Sequence, residues 1–96
     1  MACQVLLEFG IKDGCHDKLK QTFKEIVADT RDFEGCITLH MIRDRANPTR
    51  IIIVELWETQ EHYEAYLKWR TERGDMDILG PMMEDPSWRF FDFWGV

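Results

Sequence analysis

Residues 32–67 read DFEGCITLHMIRDRANPTRIIIVELWETQEHYEAYL. Two strand-like runs, Cys36–Arg45 and Arg50–Glu58, flank the short break Ala46-Asn47-Pro48-Thr49. Asn and Pro are turn formers, so the pair of runs reads as an antiparallel hairpin. The second run ends in Trp57-Glu58, and Thr59 then stands where a helix wants its N-cap. The helix is expected to continue to about Arg73, with Gly74 breaking it, and Tyr63, Tyr66, Leu67 and Arg70 share its inner side. This unit therefore brings aromatic and polar side chains to the place where sheet meets helix.

Upstream, Cys3–Ile11 alternates: Val5, Leu7, Phe9 and Ile11 on one side, Gln4, Leu6, Glu8 and Gly10 on the other. That is a strand. Lys12-Asp13-Gly14 is a turn. From Cys15 the period changes, and Leu19, Phe23, Ile26 and Val27 make one stripe of a helix that ends near Arg31–Phe33, with Gly35 in the turn beyond. Downstream, Asp75–Glu84 reads as a short irregular helix interrupted at Gly80-Pro81. Trp88–Val96, with Trp88, Phe90, Phe91, Phe93 and Trp94, reads as a last strand. The order β-α-β-β-α-β is the α+β ferredoxin-like arrangement: one antiparallel sheet with both helices on one face, in a single domain over residues 1–96. An antiparallel sheet with one wet face should alternate apolar and polar, yet Ile51-Ile52-Ile53-Val54 and the Trp88–Trp94 run do not. Two helices cover one face, so a second copy of the sheet is expected on the other, giving a homodimer.

The chain has 96 residues, 45% of them hydrophobic, and a net charge of −6. Such a chain folds, but buries a modest core. With no run of Lys or Arg, neither nucleic acid nor an anionic membrane is an expected partner. Met1-Ala2-Cys3-Gln4 is not the start of a signal peptide and no segment is long enough to span a bilayer, so a cytoplasmic protein is expected. Cys3, Cys15 and Cys36 are odd in number and lack C-x-x-C spacing, which argues for free thiols. No His, Cys, Asp and Glu grouping has metal-ligand spacing, and no G-x-G-x-x-G, P-loop or G-x-S-x-G is present.

Glu34-Gly35-Cys36, the Asn47-Pro48 turn, Ile51–Val54 running into Glu55-Leu56-Trp57-Glu58, and Glu64-Ala65-Tyr66-Leu67 resemble the antibiotic biosynthesis monooxygenase domain of the dimeric α+β barrel superfamily. The resemblance implies a dimer with a pocket between sheet and helices, and oxidation of quinol- or anthrone-like aromatics by O₂ without flavin, haem or metal. Trp57 and Tyr63 match a Trp and Tyr that act on the substrate phenol in the aromatic-polyketide branch. An Asn of that branch falls on Ile53, and its distal Arg has only Arg70 and Arg73 as nearby candidates. A His-Leu pair of the quinol-oxidising branch is Tyr66-Leu67 here, and the haem-degrading set is incomplete, which argues against haem degradation.

The residues permit several roles. Trp57 is either a core aromatic or a wall for a planar ligand. Tyr63 and Tyr66 either pack or hydrogen-bond a substrate phenolate or carbonyl. His40, mid-strand, is a general base if it lines the pocket, and otherwise structural. Glu55 shares a strand face with Trp57; it is either a buried carboxylate tuned as a base or the partner of Arg43 or Arg50. Trp88 and Arg70 complete the candidate substrate-binding set. His16 and His62 belong to helix first turns and are expected in solvent, while Met76, Met82 and Met83 are apolar cover or a lid. A cofactor-free oxygenase therefore stands beside two alternatives: a non-redox isomerase or cyclase using Glu55 or His40, and a small-molecule-binding or stress-response module without catalysis.

Overall fold

In the computed structural model, which describes residues 1–96, the elements are β1 (Cys3–Ile11), α1 (His16–Asp32), β2 (Cys36–Arg43), β3 (Arg50–Trp57), α2 (Gln60–Arg73), α3 (Asp75–Leu79), a 3₁₀ turn (Gly80–Met82) and β4 (Met83–Phe91). The strands form one antiparallel sheet in the order β2-β3-β1-β4, the expected ferredoxin-like topology. Alternation fixes the faces. Cys3, Val5, Leu7 and Phe9 of β1, Leu39 of β2, and Ile53, Glu55 and Trp57 of β3 are buried beneath the helices. The intervening Leu6, Ile52, Val54 and Leu56 are half-buried on the opposite face, which no element of the chain covers.

The expected boundaries need three corrections. β2 stops at Arg43 because Asp44 turns the chain: its Oδ1 accepts from the amides of Ala46 and Asn47 at 2.8 and 3.2 Å. β3 ends at Trp57, and the Glu58 amide bonds to Gly35 O instead. The last strand is Met83–Phe91, not Trp88–Val96. Its first half is polar and contains Pro86, which reads as loop, but an edge strand tolerates both. A register shift opposite Glu8 and Gly10, with Asp85 at φ 48°, carries the pairing across that irregular stretch. Pairing ends where Phe91 meets Gln4, near the start of β1, so Phe93 and Trp94 lie beyond the sheet, and Trp94 is 91% exposed.

Two joints aim the next element. Thr59 caps α2 as expected, its Oγ1 accepting from the His62 amide at 3.1 Å. Gly74 ends α2 in the left-handed conformation. Gly35, at φ +91°, packs so tightly that a Cβ there would collide with the His62 ring. His62 is accordingly half-buried, not solvated, and its Nδ1 lies 2.6 Å from Thr59 Oγ1. The core has two centres: an aliphatic one around Leu7, Phe9, Leu19 and Leu79, with Met82 and Met83 packed inside it, and an aromatic one around Val5, Trp57 and Tyr63.

Candidate active site

The aromatic centre lies where the end of β3 meets α2. Trp57 leaves the sheet toward the helices because β3 alternates, and Tyr63 and Tyr66 descend onto it from successive turns of α2. Ring centroids lie 5.5 Å apart for Trp57–Tyr63 and 5.1 Å for Trp57–Tyr66. Phe33 closes one side against Tyr66 and Phe90 of β4 the other against Tyr63, at 5.4 and 5.8 Å. Trp88 Nε1 donates to the Tyr63 hydroxyl at 2.8 Å.

Glu55 sits two residues before Trp57 on the same face and is 3% exposed. Trp57 Nε1 donates to its Oε1 at 3.3 Å. Its Oε2 makes no hydrogen bond within the protein, and the residue borders an inner cavity of about 50 Å³. The expected ion pair across the hairpin does not form: Arg50 pairs with Glu8 at 2.9 Å, and Glu55 has no cationic partner. Burial without a cation disfavours the carboxylate, and the Trp57 hydrogen bond offsets this only in part, so the Glu55 carboxyl is raised to about 7. Burial, reinforced by the Glu55 charge, pushes the Tyr63 phenol far up as well. Tyr63 thus stays protonated; its oxygen accepts from Trp88, and its own O–H has no acceptor in the protein. A tunable base and an uncommitted phenolic donor therefore both stand against Trp57, the Glu55 carboxyl at its indole N–H and the Tyr63 ring edge-on at 5.5 Å.

Arg70 behaves differently. It is 1% exposed, and its guanidinium donates to Tyr66 Oη (3.0 Å), Asp75 Oδ2 (2.9 Å), Ile26 O (2.6 Å) and Thr30 Oγ1 (2.8 Å). Thr30 Oγ1 also lies 2.8 Å from Tyr66 Oη. This network ties α1, α2 and α3 together and leaves Arg70 little capacity for a ligand. Arg73, the other distal candidate, is half-exposed and reaches the same Asp75 at 3.2 Å. His40 alternates with Leu39 and Met41 and is exposed, paired in register with Val54; it borders the space between α1 and β2 and not the cavity at Glu55. The structure thus brings Trp57, Tyr63, Tyr66, Glu55, Trp88 and Arg70 together and leaves His40 apart. Ile53, the position of the Asn implied by resemblance, is a buried apolar wall of the inner cavity.

Sequence reasoning did not single out Thr30, Asp75, Phe33 or Phe90. Thr30 extends the α1 stripe of Leu19, Phe23, Ile26 and Val27, which could have flagged it. Nothing local marks Asp75, whose burial depends on α3 folding back beneath Arg70. No group of three or more His, Cys, Asp or Glu side chains is placed to hold a metal ion.

The family model described as antibiotic biosynthesis monooxygenase matches residues 4–71. The chain belongs to that family. It is 24% identical over 78 residues to the uncharacterised protein YjcS of Bacillus subtilis strain 168, covering 81% of this chain and 71% of that one. Among solved structures, a conserved protein from Methanosarcina mazei Go1 superposes with TM-score 0.86 at 15% identity, over 95% of this chain and 91% of the other. A mutant of SnoaB, a cofactor-independent oxygenase from Streptomyces nogalater, superposes with TM-score 0.84 at 12% identity, over 99% and 95%. At such identities the superpositions establish the fold. The matched span of the antibiotic biosynthesis monooxygenase model runs from β1 into the last turn of α2 and includes Glu55, Trp57, Tyr63, Tyr66 and Arg70.

Proposed function

We propose that this antibiotic biosynthesis monooxygenase family member is a cofactor-independent oxygenase or oxidase that uses O₂ on a small quinol- or anthrone-like aromatic. The observation that carries the reading is Glu55: a buried, cation-free carboxyl raised to about 7, with one oxygen unpartnered and the other bonded to Trp57, on a residue that lines a cavity together with Tyr63 and Tyr66. A base poised near neutral pH suits proton abstraction from a phenol or a benzylic carbon. Tyr63 O–H then donates to the substrate oxygen that gains charge, and Trp57, wholly buried, holds Glu55 in place through its indole N–H. The resulting carbanion is electron-rich enough to pass an electron to O₂, and recombination forms a C–O bond. Loss of water from the hydroperoxide leaves a carbonyl: a CH₂ becomes C=O, one oxygen atom stays and the other departs as water. SnoaB, described as a cofactor-independent oxygenase, lends support at the level of fold.

The same base serves a second reading. Proton abstraction by Glu55 without O₂ would make the protein an isomerase or cyclase. O₂ uptake by chelator-treated protein against a panel of quinols and anthrones separates the two. Uptake above the no-enzyme control, slowed more than about tenfold by Trp57→Phe, is expected. Substrate turnover without O₂ consumption moves the assignment to the isomerase, and ligand binding without turnover to a binding module.

The uncovered face carries Leu6, Ile52, Val54 and Leu56 in its middle, with Ile42 and Phe91 flanking. Burying apolar area is worth about 25 cal/mol per Å², and a second sheet is the natural cover, so we infer a homodimer with residues 1–96 as one domain in each copy. Val54→Lys would then convert the dimer to monomer in light scattering; a wild-type monomer at micromolar concentration contradicts the inference. The three unpaired cysteines support a cytoplasmic setting. No helix is long and apolar enough to cross a membrane.

A further inference from the structure

Beside the inner cavity lies a much larger cleft of about 540 Å³ between α1 and β2, within the usual range of about 300–1,000 Å³ for small-molecule pockets. Its floor is apolar, built by Phe9, Leu19, Leu39 and Ile51. Phe23, Val27, Leu39 and Met41 line both spaces, so they form the partition between the cleft and the Glu55 cavity.

The rim is charged, and with one sign only. Lys20, Lys24 and Arg31 come from one stripe of α1, and Arg43 from the end of β2. No Asp or Glu lines the cleft, in a chain with 18 acids and 12 bases. None of these four cations forms an ion pair, although Arg50, Arg70 and Arg73 all do. Arg31 donates to Leu39 O at 3.2 Å, which holds its guanidinium over the edge strand. His16, at the outer end, faces Asp17 at 3.1 Å. Helix patterning does not require this segregation, since α1 also carries Asp17, Glu25 and Asp29, and these lie off the cleft.

We propose that the cleft binds an amphipathic aromatic carboxylate, its rings on the apolar floor and its anionic group among Lys20, Lys24 and Arg43. Naming this ligand the substrate rests on the oxygenase reading; its binding does not. The inner cavity of about 50 Å³ is too small for a fused-ring substrate, so such a ligand lies mainly in the cleft with its carboxylate outward, and its reactive edge reaches Glu55 and Tyr63 only when the partition side chains Phe23, Val27, Leu39 and Met41 move aside.

Anthracene-2-carboxylate and its neutral analogue anthracene-2-carboxamide test this by fluorescence anisotropy with the full chain at low salt. The carboxylate is expected to bind about tenfold more tightly and to lose that advantage in about 0.5 M NaCl. Lys24→Gln and Arg43→Gln, both exposed and unpaired, should each weaken the carboxylate about threefold and leave the carboxamide unchanged. Lys68→Gln on α2 is the exposed control and should change neither. Trp57→Phe should slow O₂ chemistry more than about tenfold while sparing carboxylate binding, so failure of the catalytic reading leaves this result standing. Equal affinity for the two probes, indifference to both rim variants, or no binding of either probe overturns the proposal.

Discussion

Two polar groups meet the inner side of α2, one around Arg70 near its C-terminal end and one around Tyr63 and the β3 residue Glu55 near its N-terminal end, and they are finished differently. At the Arg70 end, a guanidinium, a carboxylate, a threonine, a phenol and the Ile26 carbonyl satisfy one another within 2.6–3.0 Å. At the Glu55 end, a carboxyl has one donor at 3.3 Å and one oxygen without a partner, and a phenol has a proton with no acceptor. Both are buried. No fully buried side-chain nitrogen or oxygen lacks a partner, so the unbonded Glu55 oxygen retains some accessible surface, and that end keeps hydrogen-bonding capacity that the Arg70 end has spent. The Arg70 group fixes where α1, α2 and α3 sit, and the Glu55 group is the end we propose for the chemistry.

The contrast breaks most visibly at Asp75. Asp75→Ala strands the Arg70 charge in the interior and should cost about 3–5 kcal/mol of unfolding free energy by denaturant titration, while the surviving folded fraction keeps its chemistry. A parallel loss of turnover per folded molecule would mean that the two groups are not separable. Next in size is the pH dependence of stability. The folded carboxyl of Glu55 titrates near 7 against about 4.5 when exposed, so the folded state holds its proton longer than the unfolded state. The fold is then best favoured below about pH 4.5, and Glu55 alone removes up to about 3 kcal/mol as pH rises through 7. Glu55→Gln should flatten that decline; an unchanged pH profile of melting would contradict the placement of the charge.

Glu55→Gln should also lower turnover at least about a hundredfold, or about 2.7 kcal/mol in barrier, with the rise in rate around pH 7 lost. Tyr63→Phe, which keeps the ring and deletes the uncommitted O–H, should cost about tenfold, or about 1.4 kcal/mol. His40→Ala, at the border of the α1–β2 cleft but away from Glu55 and Tyr63, should lower the rate per folded molecule less than either of those changes; a loss as large as theirs would return the histidine to the chemistry.

Most of the fold was legible because it rests on local periodicity. The alternation of Cys3–Ile11, the α1 stripe, Thr59 as cap and Gly74 as stop each specify their element alone. β4 was misplaced because its first half, Glu84–Ser87, is ordered by pairing with β1 across a register shift, a long-range effect that no local pattern records. The site was half legible. Trp57, Tyr63 and Tyr66 follow from the hairpin and helix phases. Arg50 lies five residues before Glu55 on the opposite face of β3, where it pairs with Glu8 and cannot reach Glu55, and the saturation of Arg70 depends on Asp75 returning from α3. His40 illustrates a further limit: both faces of the hairpin are apolar, and only the packed helices reveal which face is inside.

The most direct test of the account is a pH titration of the Glu55 side-chain carboxyl carbon by ¹³C NMR, assigned against Glu55→Gln. A midpoint near 7, with the Trp57 indole N–H moving in step, is the predicted result. A midpoint near the ordinary value of 4.5 would mean that Glu55 is solvated or paired, and that the aromatic end of this fold holds no poised base.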